Sequence, residues 1–294
     1  MADAAPGPRP EITIGMPVLN GAATIATAIE SALAQTFEDF ELLICDNASD
    51  DATREIAARY AAADRRVRLI PFAERVDVLS SFRRPLQHAR APLFAFLPAD
   101  DRFYPRYLEL TRAELANHPE AVGVAPRVAF LTGRHFEYLS EERAALVSED
   151  LQRNICDYLR DPQENARLFA LYRTEALRAG FEVGRYPGED FHVIARVLAR
   201  GPLRAVDAVL MERQMTPLET YVAMGERYSP RGLIHRFRFL PLARAIWRDP
   251  VIRRSPRLLG ALAHLVWLSH LGWARVRAPA YHTRLLPLTR KAGH

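Results

Sequence analysis

Four short, mostly apolar runs (residues 12–16, 40–45, 67–70 and 93–97) alternate with segments of helical spacing, and no other feature narrows the fold as much. Runs of this kind read as strands buried on both faces. Between the first two, Ile25, Ile29 and Leu33 recur at i, i+4 and i+8, one face of a helix. Ile56 and Tyr60 lie four apart within 51–63, and helices are also expected over 78–90, with a kink or break at Pro85, and over 104–117. Strand–helix repeats at this spacing imply right-handed crossovers. The expected fold is therefore α/β: a Rossmann-like, mostly parallel sheet flanked by helices. Such sheets bind ligands at the carboxyl ends of their strands. Here those ends are 17–21, 46–51 and Asp100-Asp101. Pro17 should close the first strand, because proline cannot donate to a central ladder.

After Val122 the pattern loosens. A strand is expected over 167–173, a Gly/Pro loop over 181–188, a helix over 190–200 and a strand over 203–210. From Tyr228 the chain reads as helical, broken by Pro230, Pro241, Pro250, Pro256 and Pro279. Two cysteines, Cys45 and Cys156, exclude a disulfide framework and fit a reducing compartment. No C-x-x-C or H-E-x-x-H spacing occurs, which excludes the usual zinc signatures. Residues 1–10 lack the apolar core of a secretory signal and read as a disordered lead-in.

Charge is uneven. The whole chain carries +5, yet residues 226–294 hold 14 basic and 2 acidic side chains, so the remainder is acidic. A basic tail on an acidic body points to an anionic partner, or else to a solvated helical face in an arginine-rich protein. Within it, 258–274 is apolar, interrupted by His264 and His270 and flanked by Arg257 and Arg275. It sits at the short edge of a membrane span and is read as a packed or interfacial helix. Dimer contact and docking on an anionic membrane both remain open for 226–294. No nucleic-acid motif is present, and nucleic acid is not an expected partner.

Three acidic clusters carry the candidate chemistry. Asp100 and Asp101 follow an apolar strand, and paired carboxylates are favoured where a hard cation sits between them and a phosphate. The alternative is a cap and a solvated side chain. Asp46 directly follows another strand and is the better ligand candidate of its turn; Ser49, Asp50 and Asp51 read as caps of the next helix. Gly188-Glu189-Asp190 opens a helix, where an aspartate is either a cap or, if it faces the strand ends, a general base.

Taken in order, these stretches resemble the family 2 glycosyltransferases. Ile12-Thr13-Ile14-Gly15-Met16-Pro17-Val18-Leu19-Asn20 is similar to the opening strand signature. Ser31-Ala32-Leu33-Ala34-Gln35-Thr36-Phe37-Glu38-Asp39-Phe40-Glu41-Leu42 resembles the S-x-L-x-Q-T-x-x-D-F-E-L stretch, and Cys45-Asp46-Asn47-Ala48-Ser49-Asp50-Asp51-Ala52-Thr53 the turn after it. Ala99-Asp100-Asp101 followed by Pro105 resembles the metal-site motif, and Gly188-Glu189-Asp190 followed by Arg196 the catalytic helix start. The similarity runs through about residues 11–215.

The resemblance implies the A-type nucleotide-sugar fold over 11–225, with a nucleotide-binding half (11–125) and an acceptor half (126–225), followed by a basic helical segment (226–294). Pro17, Val18 and Asn20 would line the nucleotide pocket, and Asp46 would contact the base, most often uracil. One of Asp100 and Asp101 would contact ribose or sugar, and one would hold Mn²⁺ or Mg²⁺ on the diphosphate. Asp190 would take the acceptor proton, with Glu189 positioning substrate beside it. Two departures stand out: Pro98 replaces the first aspartate of the metal motif, and Arg213-Gln214-Met215 stands where many relatives carry Arg-x-His. The Q-x-x-R-W motif of processive synthases is absent.

The implied activity is therefore inverting, metal-dependent transfer of one sugar from a nucleotide-sugar donor to a glycan or lipid-linked acceptor. That places the chain in bacterial polysaccharide biosynthesis, in the cytoplasm or peripherally at the inner face of the plasma membrane. The competing readings are a catalytically inactive relative serving as a binding scaffold, and a sugar-nucleotide nucleotidyltransferase. The latter would need a Gly-rich phosphate loop, which Asn20-Gly21-Ala22-Ala23 is not.

Overall fold

The computed structural model describes residues 9–133, 135–140, 145–215 and 239–270. The first half runs β1 (Ile12–Val18), α1 (Ile25–Leu33), β2 (Phe40–Asp46), α2 (Thr53–Ala63), β3 (Val67–Pro71), α3 (Val78–His88), β4 (Leu93–Phe96), β5 (Arg102–Phe103) and α4 (Tyr107–Asn117). The second runs β6 (Gly123–Thr132), β7 (His135–Leu139), α5 (Leu151–Arg160), a 3-10 segment (Gln163–Phe169), β8 (Leu171–Arg173), α6 (Thr174–Gly180), α7 (Glu189–Leu198) and β9 (Leu203–Gln214). Two helices of the C-terminal segment follow, α8 (Leu240–Arg248) and α9 (Pro256–His270).

Among the described residues one sheet forms, in the order β3-β2-β1-β4-β8-β6-β9-β5, with β7 beside β6. β3, β2, β1 and β4 are mutually parallel, as are β6 and β9; β8 enters antiparallel between β4 and β6. Every residue of β1, β2 and β4 is buried, which is why these strands read as mostly apolar runs.

Pro17 lies inside β1 rather than ending it, opposite Cys45 of β2. Gly15 accepts the Leu97 N–H on the β4 side, whereas Val18 accepts the Asn47 N–H on the β2 side. Residue 17 therefore faces β4, whose pairing with β1 stops at Gly15–Phe96, so its missing N–H costs no ladder bond. Pro85 likewise does not break α3; it packs on Gly15, where any Cβ would strike the Phe94 ring and approach Pro85 Cβ to 3.0 Å. Pro241 sits in the first turn of α8 and Pro256 starts α9, so these prolines open helices instead of interrupting them.

Other expectations shift. The stretch 167–173 is a 3-10 segment before a three-residue strand, not one strand. The helix expected from 104 begins at Tyr107, because Arg102 and Phe103 pair with Glu212 and Met211 of β9. β6 went unread because Pro126 and Arg127 interrupt its apolar pattern; both fall where its register with β9 slips, a bulge that tolerates proline. The lead-in through residue 8, and residues 226–238 and 271–294 of the basic segment, lie outside the described residues. Among the described residues no helix is long and apolar enough to cross a membrane.

Candidate active site

The strand ends of β1 and β2 are tied by side chains that cross between their loops. Asn20, at φ 53°, accepts the Asp50 N–H on its Oδ1 (3.0 Å) and donates its own N–H to Ser49 Oγ (2.9 Å). Gly21 N–H donates to Thr53 Oγ1 and Ala22 N–H to Asp51 Oδ2, at 2.8 and 3.1 Å. Ser49 and Asp50 thus stitch two loops together rather than capping α2; only Asp51 meets the helix start, accepting the Thr53 N–H at 3.0 Å. Pro17 and Val18 are buried beneath this lacing, and Asn20 is exposed at its rim.

Asp46 ends β2 fully buried, its Oδ2 gripped by Arg54 Nε and Nη2 at 3.1 and 2.9 Å and its Oδ1 accepting the Ser49 N–H at 3.2 Å. Arg54 holds one carboxylate oxygen with two donors and the Ser49 N–H holds the other, so both oxygens are engaged. Next to it, Asn47 exchanges two hydrogen bonds with the Val76 backbone and accepts from Arg84 Nη1 at 2.6 Å. The end of β2 is therefore bound to the segment before α3.

The third strand end divides its two aspartates. Asp100 is exposed. Asp101 is buried, with Oδ2 on Arg213 Nε and Oδ1 on the Gln214 N–H, both at 2.9 Å. Burial pushes its carboxyl up to about 6 although Arg213 opposes that, with Asp100 adding to the rise. The Arg213 guanidinium lies 3.7 Å over the Phe169 ring.

Glu189 and Asp190 occupy the first turn of α7. The helix is launched by Gly188 at φ 78°, a conformation that glycine adopts freely and where a Cβ would lie 2.9 Å from Leu242 of α8 and 3.1 Å from Phe239 just before it. Asp190 is partly buried and its Oδ2 accepts from Asn165 Nδ2 at 3.0 Å. Asn165, itself at φ 51°, accepts on Oδ1 from the Tyr158 hydroxyl at 2.7 Å. Burial raises the Asp190 carboxyl above the ordinary range, against the Asn165 bond, the helix-start N–H groups and the field of Arg213. Glu189 is raised to about 7, by burial first, then by Asp190 and Asp77, while the Tyr186 N–H opposes.

These contacts close a ring. Asp46 and Asn47 join the segment before α3; Asp77, which caps α3, pairs with Arg185 of the loop before α7 at 3.0 Å. Asp190 feels Arg213, Arg213 holds Asp101, and Ala99 lies beside Gly21 of the first loop. Asp46, Asp100, Asp101 and Asp190, scattered over 145 positions, thus surround one rim at the carboxyl ends of β1, β2 and β4. Asn165 and Tyr158 had no visible signal in the sequence; an asparagine favoured at positive φ is the only hint, and only the structure shows it is needed.

Among the described residues no three His, Cys, Asp or Glu side chains are grouped to hold a metal. Both oxygens of Asp101 already accept hydrogen bonds, so the open donor is Asp100. One carboxylate fits a hard divalent cation that takes its other ligands from water and substrate phosphates.

The family described as Glycosyl transferase family 2 matches residues 13–181. The UDP-Glc:alpha-D-GlcNAc-diphosphoundecaprenol beta-1,3-glucosyltransferase WfgD of Escherichia coli is 32% identical over 100 residues less one, covering 34% of this chain and 38% of that protein. The chain thus aligns with well under half of that relative's length. Among solved structures, TarS 1-349 of S. aureus in complex with UDP-GlcNAc superposes with a TM-score of 0.67 at 14% identity, over 93% of this chain and 77% of that one. The mannosyltransferase PcManGT of Pyrobaculum calidifontis, in complex with GDP-Man and Mn²⁺, gives 0.57 at 18% identity, over 97% and 81%. At these identities the superpositions speak for the fold alone.

Proposed function

This chain belongs to glycosyl transferase family 2, and from that premise we propose that it is an inverting, non-processive transferase. Its donor is a nucleoside-diphosphate sugar, UDP-linked, and its acceptor a hydroxyl of a glycan or lipid-linked molecule. The observation that carries the reading is the junction at Arg213, whose guanidinium binds Asp101 and whose field reaches Asp190, bringing the nucleotide rim and the candidate base together.

In this reading Pro17 and Val18 wall the nucleotide pocket, Asn20 shapes its entrance, and Asp46, held by Arg54 and the Ser49 N–H, faces the base. Asp100 lies where ribose or diphosphate would pass and would hold Mn²⁺ or Mg²⁺; the bound ion would offset charge on the departing diphosphate. Asp190 removes the proton from the acceptor hydroxyl. As the new carbon–oxygen bond forms at the anomeric centre, the bond to the diphosphate oxygen breaks on the opposite face and the nucleotide leaves with its electron pair. In-line attack inverts the anomeric carbon. Glu189, raised to about 7, borders the same turn and positions the acceptor. We assign catalysis to 11–225, with acceptor contacts in 126–225.

A thermal-shift screen tests this. UDP or a UDP-sugar with Mn²⁺ should raise the melting temperature by several degrees, since ligand at about 100 times its Kd adds about 2.7 kcal/mol. If no nucleoside diphosphate, with or without Mn²⁺ or Mg²⁺, shifts the midpoint, the reading fails. The scaffold alternative is favoured by Pro98, which removes one carboxylate from the rim. It predicts nucleotide binding without release of nucleotide from any donor.

For residues 226–294 we propose peripheral contact with an anionic membrane on the cytoplasmic side. α9 buries Leu258, Ala261, Leu262 and Leu265 while Leu259 and Trp267 remain 56% and 53% exposed, and Arg253, Arg254 and Arg257 are exposed at its start. An exposed apolar face with arginines at one end suits an interfacial helix. The full chain should co-sediment with anionic vesicles and not with neutral ones, and L259E/W267E should abolish this. A dimer in light scattering that the same pair dissociates would assign the face to a second copy instead.

A further inference from the structure

Behind the candidate base runs a buried polar chain that the transfer chemistry does not use. Its members are Tyr186, His192, Asp249 and Arg196, from the loop before α7, from α7 and from the end of α8. His192, Arg196 and Asp249 are 4%, 8% and 7% exposed. Asp249 Oδ2 lies 2.8 Å from His192 Nε2 and 2.9 Å from Arg196 Nη1, and its Oδ1 accepts the Val251 N–H at 2.8 Å. His192 Nδ1 meets the Tyr186 hydroxyl. Arg196 also reaches the Ala179 carbonyl and Glu182, each at 3.1 Å, and Arg200 caps the Arg196 carbonyl at 2.8 Å.

The proton inventory follows from chemistry. A carboxylate only accepts, so His192 Nε2 carries the hydrogen on the side of Asp249, in a close electrostatic contact that is off the N–H line and is not a hydrogen bond. Burial holds the ring below the usual histidine range, despite Asp249 and with help from Arg196, so it is neutral and its Nδ1 accepts from Tyr186. The Tyr186 hydroxyl is thereby held by a ring whose other nitrogen is packed against Asp249 and, across it, Arg196.

Tyr186 is also the first residue of the turn that launches α7. Glu189 N–H donates to the Tyr186 carbonyl at 3.1 Å, Pro187 and Gly188 fill the central positions, and Gly188 at φ 78°, ψ 20° matches the second corner of a type II turn. The Glu189 carboxylate folds back onto the Tyr186 N–H at 3.3 Å. Tyr186 is thus pinned at its backbone by Glu189 and at its hydroxyl by His192, one turn further along the same helix.

We propose that Asp249 and His192 are positioning residues for sugar transfer, setting through Tyr186 the turn that presents Glu189 and Asp190. This rests on Asp190 acting as the base. It makes part of the C-terminal segment a component of the catalytic unit, not an appendage. Stability alone is a weak explanation for such a network, because replacing a buried ionic cluster by packed apolar groups is often neutral or stabilising.

The test is a double-mutant cycle on full-length protein, read in kcat, donor KM, nucleotide Kd and melting temperature. Y186F removes one hydroxyl and should fold. It should lower kcat about tenfold, since misplacement near 1 Å costs up to about 10²-fold, with donor KM and nucleotide Kd within about twofold. D249N should act alike, and Y186F/D249N should lose about tenfold, not a hundredfold, because both act through one path. If D249N does not fold, H192Q takes its place in the cycle. Wild-type kcat in Y186F, or losses that multiply, overturns the proposal. An active D190N would instead overturn the base assignment beneath it, so the two failures are distinguishable.

Discussion

D190N should lower turnover by about 10²–10⁴-fold while nucleotide affinity stays within a few-fold. The change preserves shape and the hydrogen bond from Asn165 in outline, but removes the only atom type able to take the acceptor proton at that position. Single-turnover kinetics with a matched donor and calorimetry with UDP measure the two quantities separately. A variant that retains most of its turnover removes Asp190 from the base role. The pH profile carries a second signature. The base must be ionised, and burial raises Asp190, so the rate should fall on the acid side at a higher pH than for an exposed carboxylate. Glu189, lifted to about 7, shares that turn, so the acid limb belongs to the pair and should simplify in E189Q.

D101A should cost about 3–5 kcal/mol of stability, because it strands the partly buried Arg213 guanidinium and the Gln214 N–H. For a chain of this size that is a fall of roughly 5–8 °C in melting temperature. D101A/R213M should recover much of it, since removing both partners leaves no buried charge unpaired. Asp101 is raised to about 6 in the folded state, so its ionisation lowers folding stability between about pH 4 and 6, and the cost of D101A is read above about pH 7, where the carboxylate is charged and paired with Arg213. D101A should flatten that part of the stability–pH curve. D100A, at an exposed position, should leave the melting temperature unchanged and weaken only metal-dependent nucleotide binding. If D101A melts like the wild type, Asp101 does not clamp the rim through Arg213.

The chain's local chemistry carried most of the first half. β1, β2 and β4 announced themselves because strands buried on both faces must be apolar at nearly every position, whereas β3, at the sheet edge and buried only at Val67, was legible from its short apolar run alone. The acid-rich turns announced themselves because they follow those strands directly. Legibility dropped after Val122 for a physical reason. β5 is two residues long and exists only by pairing with β9, and β6 carries Pro126 and Arg127 at a bulge set by its partner. Pro17 and Pro85 misled in the other direction: each is a breaker in isolation, and each is harmless where its missing N–H faces no partner or its ring fits a glycine.

From residue order alone came the alternation of strand and helix, the site of its polar ends, and the acidic side chains gathered there, because each depends on neighbours within a few positions. The tertiary structure alone decided how those acids differ. Asp100 stays open while Asp101 is locked to Arg213, Asn165 from a distant 3-10 segment steers Asp190, and Asp249 of the C-terminal segment backs the helix that bears it. Burial and ion pairing are set by whatever packs across the fold, and no local pattern encodes a partner tens of residues away.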